Sequence, residues 1–111
     1  MDAIKFSYNW NNKLNNNYFT TIRIKSQKYA KGKHFLIEDI TKKIESFETE
    51  CVLILNYKGC DLPEIICCQD TGYCKDETIK ILSKMYPSNF DQLIFSVILL
   101  KRIAIDKPLP A

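Results

Sequence analysis

The chain has 111 residues, 16 of them basic and 13 acidic for a net charge of +3, with 46% hydrophobic residues, three glycines and four prolines. That length suits one domain able to bury roughly two-thirds of its unfolded surface, and the composition excludes a disordered chain or a long flexible linker. The longest apolar run, Leu93 to Leu100, includes Ser96 and is strand-length, well short of the roughly 20 residues a membrane-spanning helix needs. Met1 to Tyr8 carries Asp2 and Lys5 and lacks the apolar stretch of a secretion signal, so a cytoplasmic location is expected.

In chain order, Ile4, Phe6 and Tyr8 share one face of an extended run, which predicts a strand over residues 3 to 8. Asn9 to Leu14 reads as a short helical turn with Asn9 as its cap and Trp10 packed in the core. The run Asn15-Asn16-Asn17 fits the turn after it, because Asn tolerates left-handed backbone angles. Residues 18 to 25, rich in aromatic and β-branched types, predict a strand. Gly32 marks a turn, and His34 to Asp39 a further strand. Ile40, Ile44 and Phe47 have helical spacing, but a hairpin near residues 43 to 46 is the preferred reading. Cys51 to Leu55 then reads as a buried strand. Pro63 opens a short helix that ends before Thr71-Gly72, and Asp76 to Tyr86 is a second, with acids at its start, an apolar stripe through Ile79 and Leu82, and Pro87 as its stop. A last strand covers Gln92 to Arg102. The domain is expected to span residues 1–105, with 106–111 a loose tail. Several strands, two or three short helices and a closing strand make an α+β domain, compatible with a small mixed barrel that leaves a cleft between sheet and helices.

Five cysteines in a chain without an export signal read as reduced thiols, with Cys51, Cys67 and Cys68 as small core residues. The cysteines lack paired C-x-x-C knuckles and His34 has no histidine partner, so no metal site and no cofactor is expected. Charge is uneven along the chain: Arg23, Lys25, Lys28, Lys31, Lys33, Lys42 and Lys43 face only Glu38 and Asp39 within residues 23 to 43, a local charge of +5. Such a stretch attracts phosphates, as a nucleic-acid binder requires, although a solvated hairpin face has the same composition.

The segment Phe19-Thr20-Thr21-Ile22-Arg23, a few residues before Tyr29-Ala30-Lys31-Gly32-Lys33, resembles the signature of the ASCH family, in which K-T-x-T-I-R precedes a y-x-x-G-D strand start. Gln69-Asp70-Thr71-Gly72-Tyr73, and then the helix ending Lys84-Met85-Tyr86-Pro87, resembles the family's acidic turn, helix and Y-P stop. The resemblance covers residues 3 to 103 and implies a PUA-like β-barrel with a cleft between the T-I-R strand and the acidic turn. It implies RNA or a modified nucleoside as the partner. It also admits an amidohydrolase acting on N-acylated cytidine, with Thr21 and Asp70 as the catalytic pair. The ligand-binding candidates it implies are Arg23, Thr21, Asp70, Tyr18 and Lys25.

Two positions depart from the family pattern: Tyr18 stands where the lysine is expected, and Asp70 in place of a glutamate shortens the acidic arm. A threonine hydroxyl needs a base to take its proton, so hydrolysis requires Lys13 or Lys25 to enter the cleft from another part of the backbone. Taken alone, Thr21 also suits a strand as a β-branched residue, Arg23 a surface ion pair, and Asp70 a turn. A domain that keeps the scaffold and binds a protein partner is the third reading. The oligomeric state is open.

Overall fold

The computed structural model describes residues 1–103; the expected tail at 106–111 and the last two residues of the expected domain lie outside them. Five strands form one mixed sheet: β1 (Asp2–Phe6), β2 (Tyr18–Ile24), β3 (His34–Asp39), β4 (Phe47–Lys58) and β5 (Ile94–Arg102). Two α-helices, α1 (Glu64–Thr71) and α2 (Lys75–Met85), and three 3-10 segments complete the described residues. The sheet order is β1-β3-β4-β5-β2, with β1 parallel to β3 and the other neighbours antiparallel. β1 and β2 are therefore its two edges, and the backbone ladder does not close.

Side chains join the two edges. The rings of Phe6 and Phe19 meet edge-on with centroids 6.3 Å apart, and these two residues share a core with Ile4, Leu14, Phe35, Ile37, Cys51, Ile98 and Leu100. The unpaired carbonyls of β1 accept from cations: Arg23 Nη2 donates to Lys5 O at 2.9 Å and Lys28 Nζ to Ala3 O at 2.6 Å. An exposed strand edge is a template for pairing with another chain, and these contacts occupy it. The opposite sheet face carries a second core, in which Ile22, Phe95 and Val97 pack under Leu62, Cys67, Leu82 and Phe90. β5 is thus buried on both faces, which explains its nearly unbroken apolar sequence.

The structure departs from several expectations. The first strand ends at Phe6, and α1 continues through Thr71 to a left-handed cap at Gly72. The left-handed residues near the first turn are Asn11 (φ 55°) and Asn12 (φ 54°), within it; Asn16 just after it is extended. The segment after Cys51 is not uniformly buried. A bulge between Cys51 and Leu53 shifts the register, and Leu53 and Leu55 emerge 43% and 40% exposed on the outer face. Cys68 is exposed, whereas Cys51 and Cys67 are core residues whose thiols burial pushes up. The ambiguous stretch after β3 is the β3–β4 hairpin loop. Asp39 collects the Thr41 and Ile44 N–H groups and the Thr41 hydroxyl, and these bonds hold its carboxyl below the usual range.

Gly72 ends α1 against the Asn-rich turn. Its φ of +81° is a left-handed cap, and an added Cβ would stand 3.2 Å from Asn11 Oδ1. Gly72→Ala should cost about 1–2 kcal/mol from the backbone conformation alone, read as a lower urea midpoint with an unchanged slope.

No helix among the described residues is long and apolar enough to cross a membrane.

Candidate functional site

The site begins with the Asn-rich turn. Asn9 Oδ1 accepts the Leu14 N–H at 2.9 Å, Asn12 N–H bonds Asn9 O at 3.1 Å, and Asn12 Oδ1 accepts from both Asn9 and Asn15 amides. Asn tolerates the left-handed angles that two successive residues adopt here, and its short polar side chain replaces the hydrogen bonds a regular helix would supply. Asn11 Nδ2 then donates to Gln69 O at 3.2 Å, which ties the turn to the end of α1 one residue before Asp70. The consequence is a buried ion pair: Lys13 Nζ lies 2.9 Å from Asp70 Oδ1, with side chains only 4% and 6% exposed.

The same oxygen of Asp70 accepts the Thr20 hydroxyl at 2.8 Å. Among the described residues Oδ2 has no hydrogen-bond partner, and Asp70 lines the cleft. Burial pushes the Lys13 amine below its ordinary value and Arg23 nearby adds to this, while Asp70 opposes both. A lysine so placed is easier to deprotonate than an exposed one.

Strand alternation puts Phe19, Thr21 and Arg23 of β2 on the inner face and Thr20 and Ile22 on the other. Arg23 Nε donates to Thr21 Oγ1 at 2.9 Å, its Nη2 to Lys5 O, and the guanidinium stacks 4.7 Å from the Phe6 ring centroid. Lys13 Nζ lies 5.5 Å from the same ring. Phe6 therefore offers its ring face to both cations.

These groups line an open cleft with a cavity volume of about 90 Å3 between the β1–β2 seam and the helices. Thr21, Arg23, Asp70 and Lys13 all face it, as do Lys5, Phe6, Tyr8, Trp10 and Tyr86. Trp10, expected in the core, is instead half-buried at the rim, with ring centroids 4.6 Å from Tyr8 and 6.2 Å from Tyr73. Tyr8 is 57% exposed and Tyr73 47%, so the rim offers aromatic faces to a ligand.

Of the residues singled out in the sequence, Thr21, Arg23 and Asp70 come together. Tyr18 and Lys25 do not line the cleft. Tyr18 is 53% exposed at the far end of β2, opposite Lys101. Lys25 is exposed just past the other end of the strand, its N–H bonded to Ile94 O. The basic stretch is partly committed to the fold: besides Arg23 and Lys28, Lys33 pairs with Asp2 at 2.6 Å and donates to Lys28 O. Lys25, Lys31, Lys42 and Lys43 remain exposed.

Thr20 was not singled out by sequence reasoning and Lys13 was not placed by it. Thr20 adjoins Thr21, and only the position of α1 decides which hydroxyl meets the carboxylate. Among the described residues no group of three or more His, Cys, Asp or Glu side chains comes together as a metal ion would require. No family model matches the chain, and neither does any curated protein or solved structure.

Proposed function

We propose that this domain binds RNA or a free nucleoside, seating an unpaired base in the cleft between β2 and the end of α1. The observation that carries the reading is the combination of polar groups with unused bonding capacity and an aromatic rim. Arg23 and Lys13 supply donors, Asp70 Oδ2 an acceptor, and Tyr8 and Trp10 flat faces. Unpaired bases are recognised in this manner, by hydrogen bonds along their edges and by stacking. On this reading the domain is a PUA-like barrel in which side chains, Phe6 against Phe19 and Arg23 on Lys5 O, bridge the seam that the backbone ladder leaves open. A cytoplasmic location goes with it.

The test is a titration with cytidine and with short single-stranded RNA at two salt concentrations. For two or three phosphate contacts, raising salt from about 50 to about 200 mM should weaken RNA binding about tenfold. Cytidine binding should change little. RNA affinity that is insensitive to salt would exclude a role for the exposed lysines.

One observation favours a second reading, hydrolysis of N-acylated cytidine. Lys13 enters the cleft from the first turn and its lowered basicity suits a proton acceptor. The two demands on a threonine nucleophile are nevertheless divided. Thr20 points its proton at Asp70 but does not line the cleft, whereas Thr21 lines it and accepts from Arg23. This division favours binding over turnover. Acid release from acetylcytidine that disappears in Thr21→Ala would reverse the preference.

A further inference from the structure

Charge within the cleft is unbalanced. Asp70 is compensated by Lys13 at 2.9 Å and by the Thr20 hydroxyl. Arg23, half-buried beside them, has only neutral acceptors, Thr21 Oγ1 and Lys5 O, and forms no ion pair among the described residues. Two of its N–H groups are engaged by these bonds, and Nη1 makes none. Burial acts against its charge, with Asp70 and two tyrosines offsetting this from a distance. A cation removed from water and left without a counter-ion is costly unless a ligand supplies one.

The fixed bonds also aim the group. Nε held by Thr21 and Nη2 by Lys5 O pin the guanidinium plane over Phe6, so the free Nη1 edge is presented in one orientation. One fixed guanidinium donor suits a tetrahedral oxyanion, whose other oxygens are free to take a second donor. Lys5, exposed on the same cleft wall, adds a second positive charge. The Asp70 carboxylate repels an anion from the other end, which leaves that end to a neutral ligand edge.

We infer that the Arg23 end of the cleft is a phosphoryl subsite, and that the ligand is a nucleotide or a phosphodiester-linked base instead of an unphosphorylated nucleoside. This rests on the base-binding reading above and adds the ligand's charge. The base lies toward Trp10 and Asp70, and the phosphoryl oxygens on Arg23 Nη1 and the Lys5 ammonium.

Calorimetric titration of the wild-type chain with cytidine, cytidine 5′-monophosphate, the dinucleoside phosphate of cytidine and inorganic phosphate tests it, repeated on Arg23→Gln and Lys5→Gln. The monophosphate or the dinucleotide should bind at least tenfold tighter than cytidine, and the preferred one identifies whether the phosphoryl group is terminal or bridging. Arg23→Gln should reduce the ratio of phosphorylated-ligand to cytidine affinity to about twofold, whatever it does to cytidine itself. Lys5→Gln, on an exposed side chain that makes no ion pair among the described residues, should reduce it in part. Equal wild-type affinity for cytidine and both phosphorylated ligands overturns the subsite and leaves the base reading intact. Binding of phosphate and monophosphate without cytidine keeps the subsite and removes the base. An advantage that survives in Arg23→Gln overturns the assignment to Arg23, and no binding by any of the four overturns both readings.

Discussion

Asp70→Ala is expected to destabilise the domain by about 3–5 kcal/mol, the cost of leaving one member of a buried ion pair without its partner. Lys13 is almost fully buried, and its contact with Asp70 at 2.9 Å is its one ion pair among the described residues. Replacing both residues together, as Lys13→Met with Asp70→Leu, should cost far less, because no buried charge is then left unpaired. The pH dependence has a definite sign. Lys13 is held below its ordinary value in the folded state, so between that lowered value and the ordinary lysine range the unfolded chain binds more protons, and stability rises with pH. Without the Asp70 carboxylate the amine is pushed lower still. Asp70→Ala should therefore regain stability on going to alkaline pH more steeply than the wild type. Urea denaturation across that range measures both effects. A loss under about 1 kcal/mol for the single variant would mean that Lys13 relaxes to solvent and that the turn does not fix it in place.

At the rim, Trp10→Ala is expected to weaken binding of single-stranded RNA by about 1–3 kcal/mol, the usual contribution of an aromatic face to one stacked base. Folding should suffer less, since Trp10 is half-buried and absent from both core clusters. Substituting Tyr18, which lies outside the cleft, should leave affinity unchanged. Fluorescence anisotropy with a labelled oligonucleotide separates the two. Equal loss in both variants would place the RNA on the outer surface of β2.

The parts of this fold that were legible in the sequence obey local rules. The aromatic and β-branched residues from 18 to 25, the acids opening α2 and the proline behind it each specify an element without reference to the rest of the chain. Long-range consequences were not legible. Nothing local to Cys51–Leu55 indicates that a bulge will shift the register there and leave Leu53 and Leu55 exposed. Lys13 is the sharpest case. Lys13 and Lys25 were equal candidates to enter the cleft, and the bond from Asn11 to Gln69, which brings the turn against α1, is what selects Lys13. The density of Asn from 9 to 17 was the available signal, and its meaning lay in the two left-handed residues that aim the lysine inward.

Whether the cleft between the Lys13–Asp70 pair and the Thr21–Arg23 pair receives a base is decided by amide chemical-shift mapping on the full chain. On titration with short single-stranded RNA, the amides of Trp10, Thr21, Arg23 and Asp70 and the Trp10 indole should shift together and saturate with one affinity. Shifts confined to Lys31, Lys42 and Lys43, or no saturable shifts at all, would contradict it.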